Sequence, residues 1–372
     1  MARHIETRSF VSHTEIADAL AVLPGERVTA LIVGENGVGK SAILDTIKQH
    51  HAFNGHYFPG IIDAQMLDVG DHTIPVPDMA AGVSRNLPNE RYGLRLNPTD
   101  NRPIVILLDE LCKAPRHTQA SLAPLVYEHR IGSMVLPLGS LVIATTNLTD
   151  EGLGDNMFAH TLNRLSVVYM RKPTAKEWQA WAANAGVNPI MLAFAEMYPQ
   201  AWASFMDYDS AKFDNEFIFN PANADQDAYL SPRSAAKAGI VLTKMWGTQP
   251  MHVVEAVLKG TVGNAATSAI MALATLQAKL TPFEAVVADP LNAVVPSNRD
   301  QAAQCVMVFN YIARTSNRHE ANAISQYVSR LPGEHQALFA YKVMDMKTKR
   351  DMFTTSNAFN NLLVKHSVAF QQ

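Results

Sequence analysis

The residues best equipped for chemistry stand together at Gly34-Glu35-Asn36-Gly37-Val38-Gly39-Lys40-Ser41. This is a complete G-x-x-x-x-G-K-[ST] pattern, and each part answers a need of a bound triphosphate. The glycines let the backbone curl until successive N–H groups point inward at phosphate oxygens. Lys40 has the reach for the β- and γ-phosphates, and the Ser41 hydroxyl can ligate Mg²⁺. A second group follows at Asp109-Glu110, after the apolar run Ile104-Val105-Ile106-Leu107-Leu108. Asp109 can hold Mg²⁺ directly or through water, and Glu110 can orient and polarise an attacking water. A third is Asn147, at the end of Leu141-Val142-Ile143-Ala144-Thr145-Thr146. Its amide can bond the attacking water or the γ-phosphate.

Each group needs an element to position it. Arg27 to Val33 is β-rich and apolar, which predicts a buried strand feeding the glycine loop. Ser41 to His50 predicts a helix, with Ile43, Leu44 and Ile47 on one face, and a helix N-terminus favours the anionic charge of phosphate. The runs ending at Asp109 and Asn147 read as strands buried on both faces. A buried strand with an acidic turn, or an Asn as turn former, would look similar in isolation; the order strand–carboxylates–helix–strand–Asn behind a phosphate loop favours the polar roles. Alternating strands and helices imply a parallel sheet covered on both faces, with ligand at the C-terminal strand ends.

In this arrangement the chain resembles the AAA+ ATPases, and within them the MoxR-like ATPases common in bacteria and phages. The resemblance rests on Gly34 to Ser41, Leu107 to Pro115, Ala144 to Asn147, Thr161-Leu162-Asn163-Arg164 and Leu230-Ser231-Pro232-Arg233-Ser234. It spans roughly the first two-thirds of the chain, and the order of all five is more specific than either nucleotide motif. It implies a P-loop NTPase αβα core, an α-helical lid and ATP with Mg²⁺ as ligands. It implies Asn147 as sensor 1, Arg164 as the arginine finger given in trans, and Arg233 as sensor 2. Arg171 is a rival for the finger. A finger stabilises charge developing on the transferred phosphoryl group. Asp63 to Pro88 resembles the helix-2 insert of such proteins, with Gly70 and Pro75 further apart than usual, and Glu128 to Pro137 resembles the hairpin before sensor 1. For both segments two readings stand: contact with a client, or plain surface loops.

The composition sets limits. The chain has 372 residues, 48% of them apolar and 17% charged, which fits a globular protein of two or three domains. A formal net charge of −3 leaves no basic footprint for nucleic acid. The two cysteines, Cys112 and Cys305, are too few for a disulfide framework and suit a reducing cytoplasm. Met1 to Thr7 lacks the apolar core of a signal peptide, and no run of about 18 apolar residues predicts a membrane span.

The expected organisation is an αβα core over residues 1–170, a lid carrying sensor 2 over 171–248, and a helical C-terminal region over 249–372. Thr174 with Glu177 forms a capping box opening a helix on which Trp178 and Trp181 read as lid core. Ser231 caps another, with Pro232 at its first position. Further helices are expected at 251–258, 264–280, 299–316, 320–330 and 335–346. The function that the resemblance implies is ATP hydrolysis at the subunit interfaces of a ring, expected to be hexameric. That hydrolysis remodels or activates a protein client, with a von Willebrand factor A domain protein a fair partner. A nucleic-acid motor or loader and an ATP-gated assembly scaffold are the alternatives. The charge balance argues against the first, and the intact Glu110, Asn147 and Arg233 argue against the second.

Overall fold

A computed structural model gives the fold and describes residues 9–95, 97–148, 163–208, 213–223 and 225–367. The N-terminal stretch Met1 to Thr7, together with Thr161 and Leu162, lies outside them. The chain divides into two compact units, Met1–Lys172 and Pro173–Gln372.

The first unit is α/β. Its strands are β1 (Phe10–Val11), β2 (Ala30–Gly34), β3 (Ile61–Asp63), β4 (Thr73–Asp78), β5 (Val83–Pro88), β6 (Val105–Asp109), β7 (Arg130–Ile131), β8 (Met134–Val135), β9 (Leu141–Asn147) and β10 (Ser166–Met170). Its α-helices include α1 (His13–Leu20), α2 (Ile43–Gln49) and α3 (Arg116–Glu128). Six strands form one sheet in the order β1-β10-β2-β9-β6-β3, every neighbouring pair parallel. The central strands are apolar at every position because both faces are buried. Alternate residues Ala30, Ile32, Val105, Leu107, Leu141 and Ile143 pack against Ile16, Ala17 and Leu20 of α1 and Ile43, Leu44 and Ile47 of α2. Each of these larger side chains contributes about 1.5–3 kcal/mol by leaving water.

Two boundaries differ from expectation. Ahead of the strand expected from Arg27, residues 10–20 form an edge strand and a helix. Ser12 and Glu15 cap α1 reciprocally, at 2.7 Å and 3.2 Å. The first central strand starts at Ala30 instead of Arg27, since Arg27 sits at φ 54° and the Thr29 hydroxyl bonds the Val126 carbonyl at 2.7 Å.

Two small hairpins stand apart from the sheet: β4 with β5, and β7 with β8, both antiparallel. They meet each other. Ser133 N–H donates to the Asn86 carbonyl at 2.8 Å, and Asn86 N–H donates to Ser133 Oγ at 3.1 Å.

The second unit is helical: α4 (Ala175–Asn184), α5 (Pro189–Met197), α6 (Pro232–Met245), α7 (Met251–Val262), α8 (Asn264–Ala278), α9 (Phe283–Ala288), α10 (Gln301–Arg314), α11 (Arg318–Val328), α12 (Gly333–Asp345), α13 (Lys347–Phe353) and α14 (Asn357–Lys365). One apolar cluster runs through it from Ala175 to Leu362. Thr174 and Glu177 form the expected capping box, and Ser231 caps α6 with Pro232 at N1. Trp178 is buried, but Trp181 is 54% exposed. The buried stripe of α4 is Ala175, Trp178, Gln179 and Ala182, and Trp181 lies one step off it.

Candidate functional site

The three groups singled out in the sequence end three adjacent strands. β9 lies between β2 and β6, and its register pairs Asn147 with Gly34 and Ala144 with Leu108. The glycine loop, Asn147 and the Asp109-Glu110 pair therefore share the C-terminal edge of the sheet, where parallel α/β sheets open their crevice.

The loop curls through Gly37 at φ 73° and Gly39 at φ 106°. A side chain built at Gly39 would meet nothing nearer than Ala42 Cβ at 4.0 Å, so the backbone angle demands glycine there, not crowding. Three i→i+3 bonds follow, from Ala42, Ile43 and Leu44 to Gly39, Lys40 and Ser41. Regular helix begins only at Ile43, two residues later than expected, because tight turns complete the loop first.

Lys40 is buried and turned back into the loop. Its ammonium donates to the Gly34 and Glu35 carbonyls, both at 2.9 Å, and to Asn147 Oδ1 at 2.5 Å. The Asn147 amide nitrogen in turn donates to Glu110 Oε1 at 3.1 Å. Glu110 Oε2 lies 3.0 Å from Lys113 Nζ, an ion pair outside hydrogen-bond angles. On the other side, Ser41 Oγ reaches both oxygens of Asp109, at 3.0 and 2.9 Å. Thr145 Oγ1 donates a short bond to Asp109 Oδ1 and accepts the Glu110 backbone N–H at 3.2 Å. The cluster thus runs without a break from Ser41 through Asp109, Thr145, Glu110 and Asn147 to Lys40. Glu110 stands at φ 54°, ψ 38°, a left-handed conformation costly for a residue with a Cβ and held in place by its surroundings.

Sequence reasoning assigned no role to Thr145 or Lys113. A signal for each existed. Thr145 is two residues before Asn147, so strand alternation points both side chains the same way. Lys113 is three residues after Glu110, within reach across one turn.

The three arginines belong to other segments of the chain. Arg164 is exposed, with its guanidinium 5.0 Å from the centre of the Tyr127 ring. Arg171 is half-buried and donates through Nη1 to the Lys172 carbonyl at 3.3 Å. Arg233 belongs to the second unit, exposed in the first turn of α6. Trp178 Nε1 donates to the Pro232 carbonyl beside it at 3.1 Å.

The donor set suits a nucleotide with Mg²⁺. Among the described residues no three His, Cys, Asp or Glu gather to hold a metal by protein ligands alone. Ser41 and Asp109 offer a hydroxyl and a carboxylate side by side, which matches a hard cation that completes its shell with water and phosphate oxygens. A phosphate oxygen on Lys40 exchanges a neutral acceptor for an anionic one, a stronger bond.

No family model matches the chain, and no curated protein matches it. Solved structures do match. NtrX from Brucella abortus is 14% identical with a TM-score of 0.36, over 97% of this chain and 68% of that one. A point mutant of RuvB from Thermotoga maritima is 16% identical with a TM-score of 0.34, over 76% and 78%. PCH-2 from C. elegans is 12% identical with a TM-score of 0.34, over 70% and 69%. Likeness at this level carries neither activity nor assembly to this chain, and the functional reading rests on its own residues.

Proposed function

We propose that this chain is an AAA+ ATPase of the MoxR-like kind. The observation that carries the reading is the unbroken cluster from Ser41 to Lys40 across three neighbouring strand ends. A surface turn has no use for a buried ammonium, a strained glutamate and an amide that touches both.

In this reading ATP is the substrate. The Gly34–Ser41 loop, comprising Gly34, Glu35, Asn36, Gly37, Val38, Gly39, Lys40 and Ser41, holds its phosphates, with Lys40 on the β- and γ-groups. Ser41 and Asp109 hold Mg²⁺, which supplies charge neutralisation between the phosphates. Glu110 accepts a proton from the attacking water while Asn147 fixes its carboxylate and senses the γ-phosphate. Arg164 acts as the finger on a neighbouring subunit's nucleotide. Its exposure suits action in trans, whereas Arg171 is turned back on its own backbone. Arg233 serves as sensor 2 from the lid. A cation in the first turn of a helix opposes the helix dipole, a cost that an anionic ligand would offset.

The assembly is a homo-oligomeric ring, hexameric by family resemblance. The core covers 1–170, the lid 171–248 and a helical extension 249–372. Its output is remodelling of a protein client, with a von Willebrand factor A domain protein as partner, in the cytoplasm. Among the described residues no helix is long and apolar enough to cross a membrane.

The test is Mg²⁺-dependent ATP turnover across protein concentrations for the wild type, Glu110→Gln and Arg164→Ala. Turnover per subunit rises with concentration and falls by roughly 10³-fold or more without Arg164, while ATP binding persists. Glu110→Gln binds ATP and does not turn it over. Turnover that is independent of concentration and indifferent to Arg164 overturns the ring reading.

A further inference from the structure

Thr145 is fully buried, and its hydroxyl bonds to both carboxylate residues, Asp109 and Glu110. A hydroxyl has a single hydrogen. The Asp109 carboxylate can only accept, so that hydrogen points to Asp109 Oδ1, and the Glu110 N–H must be received by a Thr145 lone pair. Both directions are therefore fixed by the chemistry of the partners. Two consequences follow. The Asp109 carboxylate is turned so that both oxygens face Ser41 Oγ. The Glu110 backbone is held by an acceptor in its left-handed conformation, which aims its side chain at Asn147 instead of along the strand.

We infer that Thr145 is a positioning residue that sets the cation ligand Asp109 and the base Glu110 in one geometry, so that cation binding and water activation depend on the same hydroxyl. The inference rests on the reading of this site as a nucleotide–Mg²⁺ centre. It adds a residue that acts through Asp109 and Glu110, to which its hydroxyl is bonded. Outer partners of metal ligands tune metal affinity by roughly 10- to 100-fold.

The experiment compares wild type, Thr145→Val and Thr145→Ser. Val keeps the shape and deletes the hydroxyl; Ser keeps the hydroxyl. Binding of a fluorescent ATP analogue is titrated in EDTA and again at rising free Mg²⁺, and turnover is measured separately. For Thr145→Val, affinity in EDTA stays within about twofold, because the loop and Lys40 are untouched. The Mg²⁺ needed for half-maximal tightening rises roughly tenfold, and kcat falls by a similar factor or more. Thr145→Ser restores both to within about threefold. Should Val fail to fold, Thr145→Ala read against Ser asks the same question. A Val variant with wild-type Mg²⁺ dependence and kcat overturns the inference and leaves the ATPase reading intact, as does a Ser variant no better than Val. A wild type that neither tightens on nucleotide with Mg²⁺ nor hydrolyses ATP overturns the site reading, and the inference with it.

Discussion

The Lys40 ammonium donates to three oxygens of its own fold, one of them on Asn147. That side chain is thus a part of the loop's architecture as well as a candidate phosphate ligand. Lys40→Ala removes both, and nucleotide affinity is expected to drop by roughly 10- to 100-fold, the worth of one or two charge-assisted bonds. A nucleotide titration that finds affinity unchanged rules out Lys40 as the phosphate cation. Lys40, Ser41, Asp109, Glu110 and Asn147 were all legible in the sequence, because residue type and spacing along one chain carry the chemistry. Thr145 and Lys113 were given no role. The bonds of Thr145 to Asp109 and Glu110 depend on which strand lies beside which, and β9 lies beside β6 only once the sheet has formed; Lys113 is a local neighbour of Glu110, three residues away.

Among the elements, the segments that form the two hairpins stand out in the sequence one by one but not as a pair. Their contact depends on Gly132, at φ 55°. A Cβ there would stand 2.2 Å from the Asn86 carbonyl oxygen and 2.8 Å from Thr73 Cγ2. Gly132→Ala combines a left-handed backbone with a collision against a neighbouring main chain, and is expected to cost about 1–3 kcal/mol. Urea unfolding measures it; a midpoint equal to wild type means that the hairpins part without penalty. Helix α5 was missed for a different reason. Ile190 through Ala195 are all buried, and a helix covered on every side shows no apolar stripe for periodicity to detect. Helices α13 and α14 were too short to stand out, though Phe353 and Phe359 pack with Phe339 at ring distances of 5.4 to 5.9 Å. The strand over Leu141–Asn147, by contrast, is legible to its ends, since an unbroken apolar run ending in a polar residue has few other uses.

For the molecule as a whole, composition indicated a packed globular chain, and the α/β first unit and helical remainder follow the alternation of patterns along it. One global property emerges only in the folded chain. Burial lowers the pKa of His13, His72, His129, His335 and His366 below the ordinary histidine value. His129 is held by Thr29, whose hydroxyl is already donated to Val126, so Nε2 of the ring must carry the hydrogen. Such groups take protons more readily in the unfolded chain. Their stabilising effect is complete above about pH 6.5 and is lost as pH falls below it. The urea midpoint at about pH 5.5 is therefore expected below that at about pH 7.5, with His129→Gln narrowing the gap; equal midpoints in the wild type contradict this. The continuous core of the second unit has a practical corollary. Helix α4 and helix α14 share one apolar cluster, so a graft that exchanges residues 171–248 alone would cut through side chains that interlock. A donor segment has to be taken whole, with its seam at Lys172–Pro173, and any property brought in with its first helices arrives with the entire helical C-terminus attached.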